Sequence, residues 1–427
     1  MQKFAVFASL VLATSLAHPA PAAGPDALIE EIIVIGTRSS PRTALDTAVP
    51  VDVVSSRDLE STGAVAGELG QALVAVAPSF YFPRQSNSGT SDLVRAGQLR
   101  GLSPDQMLVL VNGKRRHTSS VVHTETKIGR GTAAVDFNTI PLNAVSRIEI
   151  LRDGAGAQYG SDAIAGVVNV VMDKSLGFEA NLGFGQHFTD LDPIDDDLTD
   201  GDTITLDAKY GFAIGNDGVL KVGAQFRERD GTNRAGFDSI PFFVPQTPDN
   251  LALAGQRLYA EGDPDVEELS LWWNGSYPSG DVEFFTFGTF SDRESDGGGA
   301  FFRYPDSDEN VRAVYDQGYR PETRGEDQDF SASIGARFPV GEWAVESSFT
   351  YGHNEFEFGV DNSLNASLGA ASPTSFDSGA YELDQLSINV DVSREFDTAL
   401  SNAPLVLALG AEYRDEQFET SQGDAAS

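Results

Sequence analysis

The chain has no cysteine in 427 residues. That excludes thiolate metal sites and thiol catalysis, and suits a compartment where stray thiols would be oxidised. Basic residues are scarce: 29 Lys and Arg stand against 64 Asp and Glu, a formal net charge of -35. Nucleic acid is not expected as a partner, because a phosphate backbone needs a basic face. Beyond the first residues there is no uninterrupted apolar helix of spanning length, so residence in a membrane requires a β-barrel. Catalytic patterns are missing too. There is no nucleophile elbow, no phosphate-cradling lysine loop and no pair of acids fixed by neighbouring structure, so an enzyme is not expected and no cofactor is implied.

What is present begins at the N-terminus. Lys3 precedes a compact apolar run, Phe4 to Leu16, followed by the small-residue stretch Ala17-His18-Pro19-Ala20-Pro21-Ala22-Ala23. This is the layout of a secretory signal peptide over residues 1–23, with the mature protein starting between His18 and Gly24. The length is too great for one ordinary core and predicts several domains or one large barrel.

Residues 24–44 read as a flexible arm with one strand-forming peptide, Glu30-Glu31-Ile32-Ile33-Val34-Ile35-Gly36-Thr37-Arg38. Residues 45–175 form a small mixed α/β domain. Val49 to Val54 is strand-like, Ser55 caps a helix expected to end near Pro78, and Met107 to Val111 is a buried strand closed by the turn pair Asn112-Gly113. Further strands are expected at Ser146 to Leu151 and Gly166 to Val171.

From residue 176 the texture changes to segments of about ten alternating residues, the signature of barrel strands. Ile204, Leu206, Ala208, Tyr210, Phe212 and Ile214 share one face, while Thr203, Thr205, Asp207 and Lys209 share the other. Tight turns at Gly215 to Gly218, Pro278 to Asp281 and Pro339 to Glu342 alternate with long polar loops near 190–201, 231–266, 296–328 and 361–381. That parity is what a barrel with short periplasmic turns and long external loops requires. Tyr210, Phe212, Trp273, Tyr277, Trp343 and Tyr351 are placed for interfacial girdles, although aromatics also favour strands in soluble proteins. About nine strands are counted, an odd number that does not close the usual even-stranded barrel, so residues 176–427 are expected to be the N-terminal part of a larger one.

Three runs carry a family resemblance. Leu99-Arg100-Gly101-Leu102 leads into Leu108 to Gly113; Ile140 to Gly154 follows; Ala157 to Asn169 closes the domain. In this order they resemble the plug domain of TonB-dependent outer-membrane receptors, densely over residues 30–175 and thinly after that. The fold that this resemblance implies is mainly β: a 22-stranded transmembrane antiparallel barrel with the α/β plug in its lumen. It also implies a Gram-negative outer membrane and its lipid as the setting, TonB with its inner-membrane energising complex as partner, and a scarce extracellular small molecule as cargo. Relatives import iron chelates, cobalamins, haem or oligosaccharides, and the ligand is not readable from the sequence.

Within that family the arm peptide resembles a TonB box, with Glu30, Glu31, Ile32, Ile33, Val34 and Ile35 as the TonB-binding residues. An extended apolar peptide can add as a strand to a sheet edge on TonB; the alternative is an ordinary edge strand of the plug. By similarity to the family's Arg-Gly positions, Arg100 and Arg152 are expected to pair with barrel-wall carboxylates as a plug lock, with Glu412 a candidate partner; the alternative is solvated surface arginines. Asp153 departs from the family's plain Arg-Gly pair. Candidate ligand contacts are Tyr81, Arg84, Gln85 and Asn87 in one plug loop and Arg116, His117, His123 and Arg130 in another. No metal site is assigned to the histidines, which lack a third ligand at metal spacing, and Asp190 to Asp200 lacks a defined calcium loop. Two other readings are a ligand-sensing signal transducer, disfavoured because no extra domain separates the export signal from the box, and a passive plugged porin.

Overall fold

The computed structural model describes residues 32–33, 42–43, 51–62, 67–86, 89–124, 128–297, 301–397 and 404–426. The expected signal peptide lies outside the described residues, as do Glu30, Glu31, Val34, Ile35 and Asn87. The arm's two described segments, β1 (Ile32–Ile33) and β2 (Arg42–Thr43), pair antiparallel in a ladder of their own.

The plug follows. It comprises β3 (Val51–Ser55), α1 (Ser56–Ser61), α2 (Leu69–Val76), β4 (Phe80–Tyr81), β5 (Gln98–Leu99), β6 (Met107–Val111), β7 (Lys114–Arg115), β8 (Val145–Leu151), α3 (Gly156–Tyr159) and β9 (Gly166–Met172). Its five-stranded sheet runs β3-β8-β9-β6-β7, and only the β6–β9 pair is parallel. The Ser55 cap is a complete capping box. Its hydroxyl accepts from the Asp58 amide at 3.2 Å and the Asp58 carboxylate accepts from the Ser55 amide at 3.0 Å. The single helix expected from there to Pro78 is instead two. The Thr62 hydroxyl donates to the Leu59 carbonyl at 2.6 Å where α1 ends, and Gly67 takes a left-handed φ of 63° just before α2.

Asn112 and Gly113 both have positive φ, 48° and 80°, which fits the two-residue hairpin turn that joins β6 to β7. β6 is buried on both faces. Leu108 and Leu110 pack with Val51, Leu151 and Val167, whereas Val109 and Val111 join Phe137, Ile148 and Val168 in the main core.

The wall is one antiparallel sheet of nine strands in sequence order: β10 (Gly177–Leu191), β11 (Asp196–Ile214), β12 (Gly218–Arg229), β13 (Asp265–Ser279), β14 (Val282–Gly297), β15 (Glu322–Val340), β16 (Trp343–Asp361), β17 (Phe376–Phe396) and β18 (Leu405–Thr420). It is a partial barrel and does not close on itself. The three tight turns stand where the sequence predicts them. One long loop does not. Residues 190–201 belong almost wholly to β10 and β11, joined through a 3-10 turn at Asp192–Ile194 and Asp195 with φ 52°. Acid-rich sequence suggests loop, but here the alternation continues and the ladder needs only backbone groups, so the strands extend past the apolar band.

Burial on the wall is inverted relative to a soluble sheet. Outward Phe184, Leu206, Leu271, Phe349, Ile388 and Leu409 are exposed, while inward Thr205, Lys221, Gln225, Ser270, Thr289, Thr350 and Ser387 are buried beneath the plug. An apolar outer face over a polar inner one fits a lipid-facing barrel wall.

Candidate functional site

The plug sits against the inward face of the wall, and the contact has two characters. One part is apolar: Trp272, Phe285 and Phe287 of the wall belong to the same buried cluster as the plug core. Even here Trp272 Nε1 donates to Asn143 Oδ1 at 2.8 Å, and Asn143 Nδ2 donates to the Ala224 carbonyl at 2.9 Å.

The other part is a seam of charged and amide groups. Glu68, at the start of α2, lies 2.7 Å from Arg229 and 3.3 Å from Arg227 of β12, and 3.3 Å from Arg95 of the plug. Arg95 also reaches Asp263 of the long loop before β13 at 3.0 Å, and Arg84 pairs with the same carboxylate. Burial pushes the Glu68 carboxyl up, but the four guanidiniums of Arg95, Arg229, Arg227 and Arg84 together hold it far below the usual carboxylate range.

A second node centres on the plug loop after β7. Arg116 pairs with Asp329 of β15 and donates to Thr289 Oγ1 at 2.9 Å, and His117 Nε2 lies 2.9 Å from the other oxygen of Asp329. Gly352 of β16 makes room for this imidazole, since a Cβ there would overlap the ring. Burial lowers the His117 pKa, with Asp329 opposing and Arg116 reinforcing the shift. Close by, Arg293 of β14 bridges plug Asp136 at 2.6 Å and wall Asp327 at 2.8 Å. Asn354 Oδ1 accepts from the Ser120 amide and hydroxyl at 2.6 and 2.8 Å. The neighbouring strand ends are tied by Lys114 to Glu346 and by Arg115 Nε to Glu412 at 3.4 Å.

These positions revise several expectations. Arg152 pairs with Asp52 at 2.6 Å within the plug, and Arg100 donates to the Arg152 main-chain carbonyl at 2.6 Å. Neither meets a wall carboxylate among the described residues, because both lie on the exposed margin of the plug. Glu412 does meet a plug arginine, but it is Arg115. Arg116 and His117 were expected as outward ligand contacts; both are buried in the seam, since the two-residue turn carries the chain directly under β15 and β16. His123 is likewise buried, 3.0 Å from the Ser91 hydroxyl, and Gln85 accepts from the Ile128 amide at 3.3 Å. Tyr81, Arg84 and Arg130 remain accessible. The carboxylate run at 190–200 forms the ends of β10 and β11 with the turn at Asp192 to Asp195 between them, and its Asp200 accepts from Arg234.

Lys114, Arg115, Glu68, Arg95 and Asp136 were missed. One signal for the first two was legible: Lys114-Arg115-Arg116-His117 is a basic run in a chain of net charge -35. Glu68 gave no such signal, since its partners lie far along the chain.

Over the long-loop end of the seam, residues 230–264 and 301–321 pack on each other. Tyr304 donates to Asp238 at 2.7 Å, Arg312 pairs with Asp249 at 2.5 Å, and Val244, Leu258 and Tyr304 share an apolar cluster. The Gly262 amide donates to Ser86 of the plug at 2.9 Å, so this cap rests on the plug apex.

Residues 43–167 match the TonB-dependent Receptor Plug Domain. The vitamin B12 transporter BtuB of Vibrio cholerae is 31% identical over 229 residues, covering 52% of this chain and 31% of that protein. The ferric enterobactin receptor PirA of Pseudomonas aeruginosa is 31% identical over 142 residues, covering 33% of this chain and 18% of that protein. Among solved structures, a variant of the ferric enterobactin receptor PfeA of Pseudomonas aeruginosa bound to enterobactin superposes with TM-score 0.59 at 18% identity, covering 86% of this chain and 49% of that one. The siderophore receptor PirA from Acinetobacter baumannii gives TM-score 0.57 at 18% identity, covering 86% and 48%. The chain spans about a third of the length of the B12 transporters it matches, and about half that of the solved structures.

Proposed function

We propose that this chain is a receptor of the TonB-dependent family and that it takes up a scarce extracellular ligand across a Gram-negative outer membrane when TonB pulls on its N-terminal arm. The observation that carries this reading is the polar character of the seam. Ion pairs and amide contacts that are satisfied in the seated plug can be satisfied by water once it shifts, so a plug held this way is separable in a way that a purely apolar interface is not.

The arm supports the same reading. Ile32 and Ile33 pair with Arg42 and Thr43 in a two-residue ladder apart from the five-stranded plug sheet. A ladder that short gives up little when a TonB strand replaces β2, and main-chain hydrogen bonds then carry the pull. The ligand would arrive at the accessible plug apex near Tyr81 and Arg84, beneath the packed loops. Relatives named for vitamin B12 and ferric enterobactin point to a metal chelate or a cobalamin as the class.

The test is accumulation of labelled cobalamin and of ferric enterobactin by cells expressing the protein, with and without deletion of residues 32–35. Surface binding retained with accumulation lost supports the reading. Accumulation that survives the deletion refutes energy coupling through the arm.

A further inference from the structure

On the outward face of the wall, away from the plug, His353 of β16 stands directly opposite Asp384 of β17, and Glu382 is the next residue outward on the same face of β17. The face follows from the neighbours: Gly352 and Asn354 point at the plug, so His353 points away from it. His353 Nδ1 is 3.0 Å from Asp384 Oδ1 and 3.9 Å from Glu382 Oε1, and one ligand atom from each of the three residues lies within 4.8 Å of the others.

We propose that His353, Glu382 and Asp384 form a binding site for a divalent transition-metal ion of the Zn2+ class. Ligands at about 2.0–2.1 Å from a tetrahedral zinc are about 3.3 Å apart, so the spacings found need only small side-chain adjustments to close on an ion. One imidazole nitrogen with two carboxylate oxygens favours zinc-like ions over magnesium or calcium, which prefer all-oxygen shells. Three protein ligands leave the fourth position for water or an external anion.

The surroundings favour a cation. Glu355 stands directly opposite Glu382, and the next outward row places Glu267, Glu294, Glu326 and Glu357 opposite one another across β13 to β16. Like charges so placed repel. Among the described residues, the basic side chain that meets both Glu382 and Asp384 is the His353 imidazole, and the flanking outward positions are Phe330, Gln328, Tyr351, Leu386, Gln417 and the carboxylate Glu419. The Tyr351 hydroxyl donates to Asp384 Oδ1 at 2.5 Å, which orients the carboxylate from outside the ligand set. The scaffold is rigid, since β16 and β17 pair along nearly their whole length.

Zinc chloride titrated calorimetrically into the detergent-solubilised protein tests this, with His353→Ala, Asp384→Asn and, as a control, His187→Ala on the exposed histidine of β10; circular dichroism checks that each variant retains its strands. The expected result is one saturable site per chain, weakened about tenfold or more in H353A and D384N, unchanged in H187A and resistant to millimolar Mg2+ or Ca2+. Absence of a one-to-one site, affinity unchanged in H353A, or equal competition by Mg2+ would each overturn the assignment.

Discussion

Glu68 of the plug and Arg229 of the wall lie 2.7 Å apart with both side chains almost wholly buried, and three further arginines surround the same carboxylate. Glu68 is the carboxylate shared by all four guanidiniums of a buried cationic cluster, which Asp263 and Glu268 also help to neutralise. Glu68→Gln removes that charge and leaves Arg229 without its direct carboxylate partner, while Arg95 keeps Asp263 and Arg227 keeps Glu268; stranding a buried charge costs about 3–5 kcal/mol in such settings. The expected outcome is a plug that becomes protease-sensitive at temperatures where the wild type is protected. The Arg152–Asp52 pair is the comparison, at 49% and 41% side-chain exposure. Arg152→Ala is expected to change protection by less than about 1 kcal/mol.

Acid should loosen the seam. The Glu68 carboxyl is depressed in the folded state, so its contribution is full above the unfolded value of about 4.3 and is lost as pH falls through the folded value. The His117 imidazole is depressed as well, so its contribution is present above the unfolded value of about 6.5 and drains as pH falls through its folded value. Both act in the same direction. Protease protection of the plug, followed from pH 7.5 downward, is expected to fall first below about pH 6.5 in a step missing from His117→Ala. A flat profile through that range would contradict the assignment.

Gly352 and His117 form a test of fit. A methyl group at 352 overlaps the imidazole, so Gly352→Ala is expected to cost about 1–3 kcal/mol of plug seating. His117→Ala in the same chain should recover part of that loss, a coupling that a double-mutant cycle measures directly. Additive effects would mean the two residues are not in contact.

Elements with a local cause were legible in the sequence. The Asn112-Gly113 turn, the Ser55 cap, the alternation of Ile204 to Ile214 and the three tight turns all follow from chemistry within a few residues, and each stands where expected. The errors arose where local signals were overridden. Acidic residues from Asp196 onward suggested a loop, but a ladder that continues beyond the apolar band tolerates them. Thr62 and Gly67 divided what the apolar pattern joined. The seam was the least legible part, because its pairs link positions far apart, such as Glu68 with Arg229 or Arg116 with Asp329. Nothing in the spacing of Arg116 and His117 distinguishes a ligand contact from a wall contact; only the placement of β15 and β16 does so.

The account rests on the seam opening when cargo passes, and the absence of native cysteine makes that directly measurable. Ser120 and Asn354 touch across the seam, their Oγ and Oδ1 atoms 2.8 Å apart. In cells expressing the Ser120→Cys, Asn354→Cys protein, a short bis-methanethiosulfonate reagent, which joins two thiols through disulfides and releases sulfinate, should tie plug to wall. Labelled cobalamin or ferric enterobactin, whichever the unbridged double variant accumulates, is then followed before bridging, after bridging and after reduction. The account predicts that bridging abolishes accumulation, leaves surface binding intact, and is reversed by reductant. Accumulation at the unbridged rate with the bridge in place would contradict it.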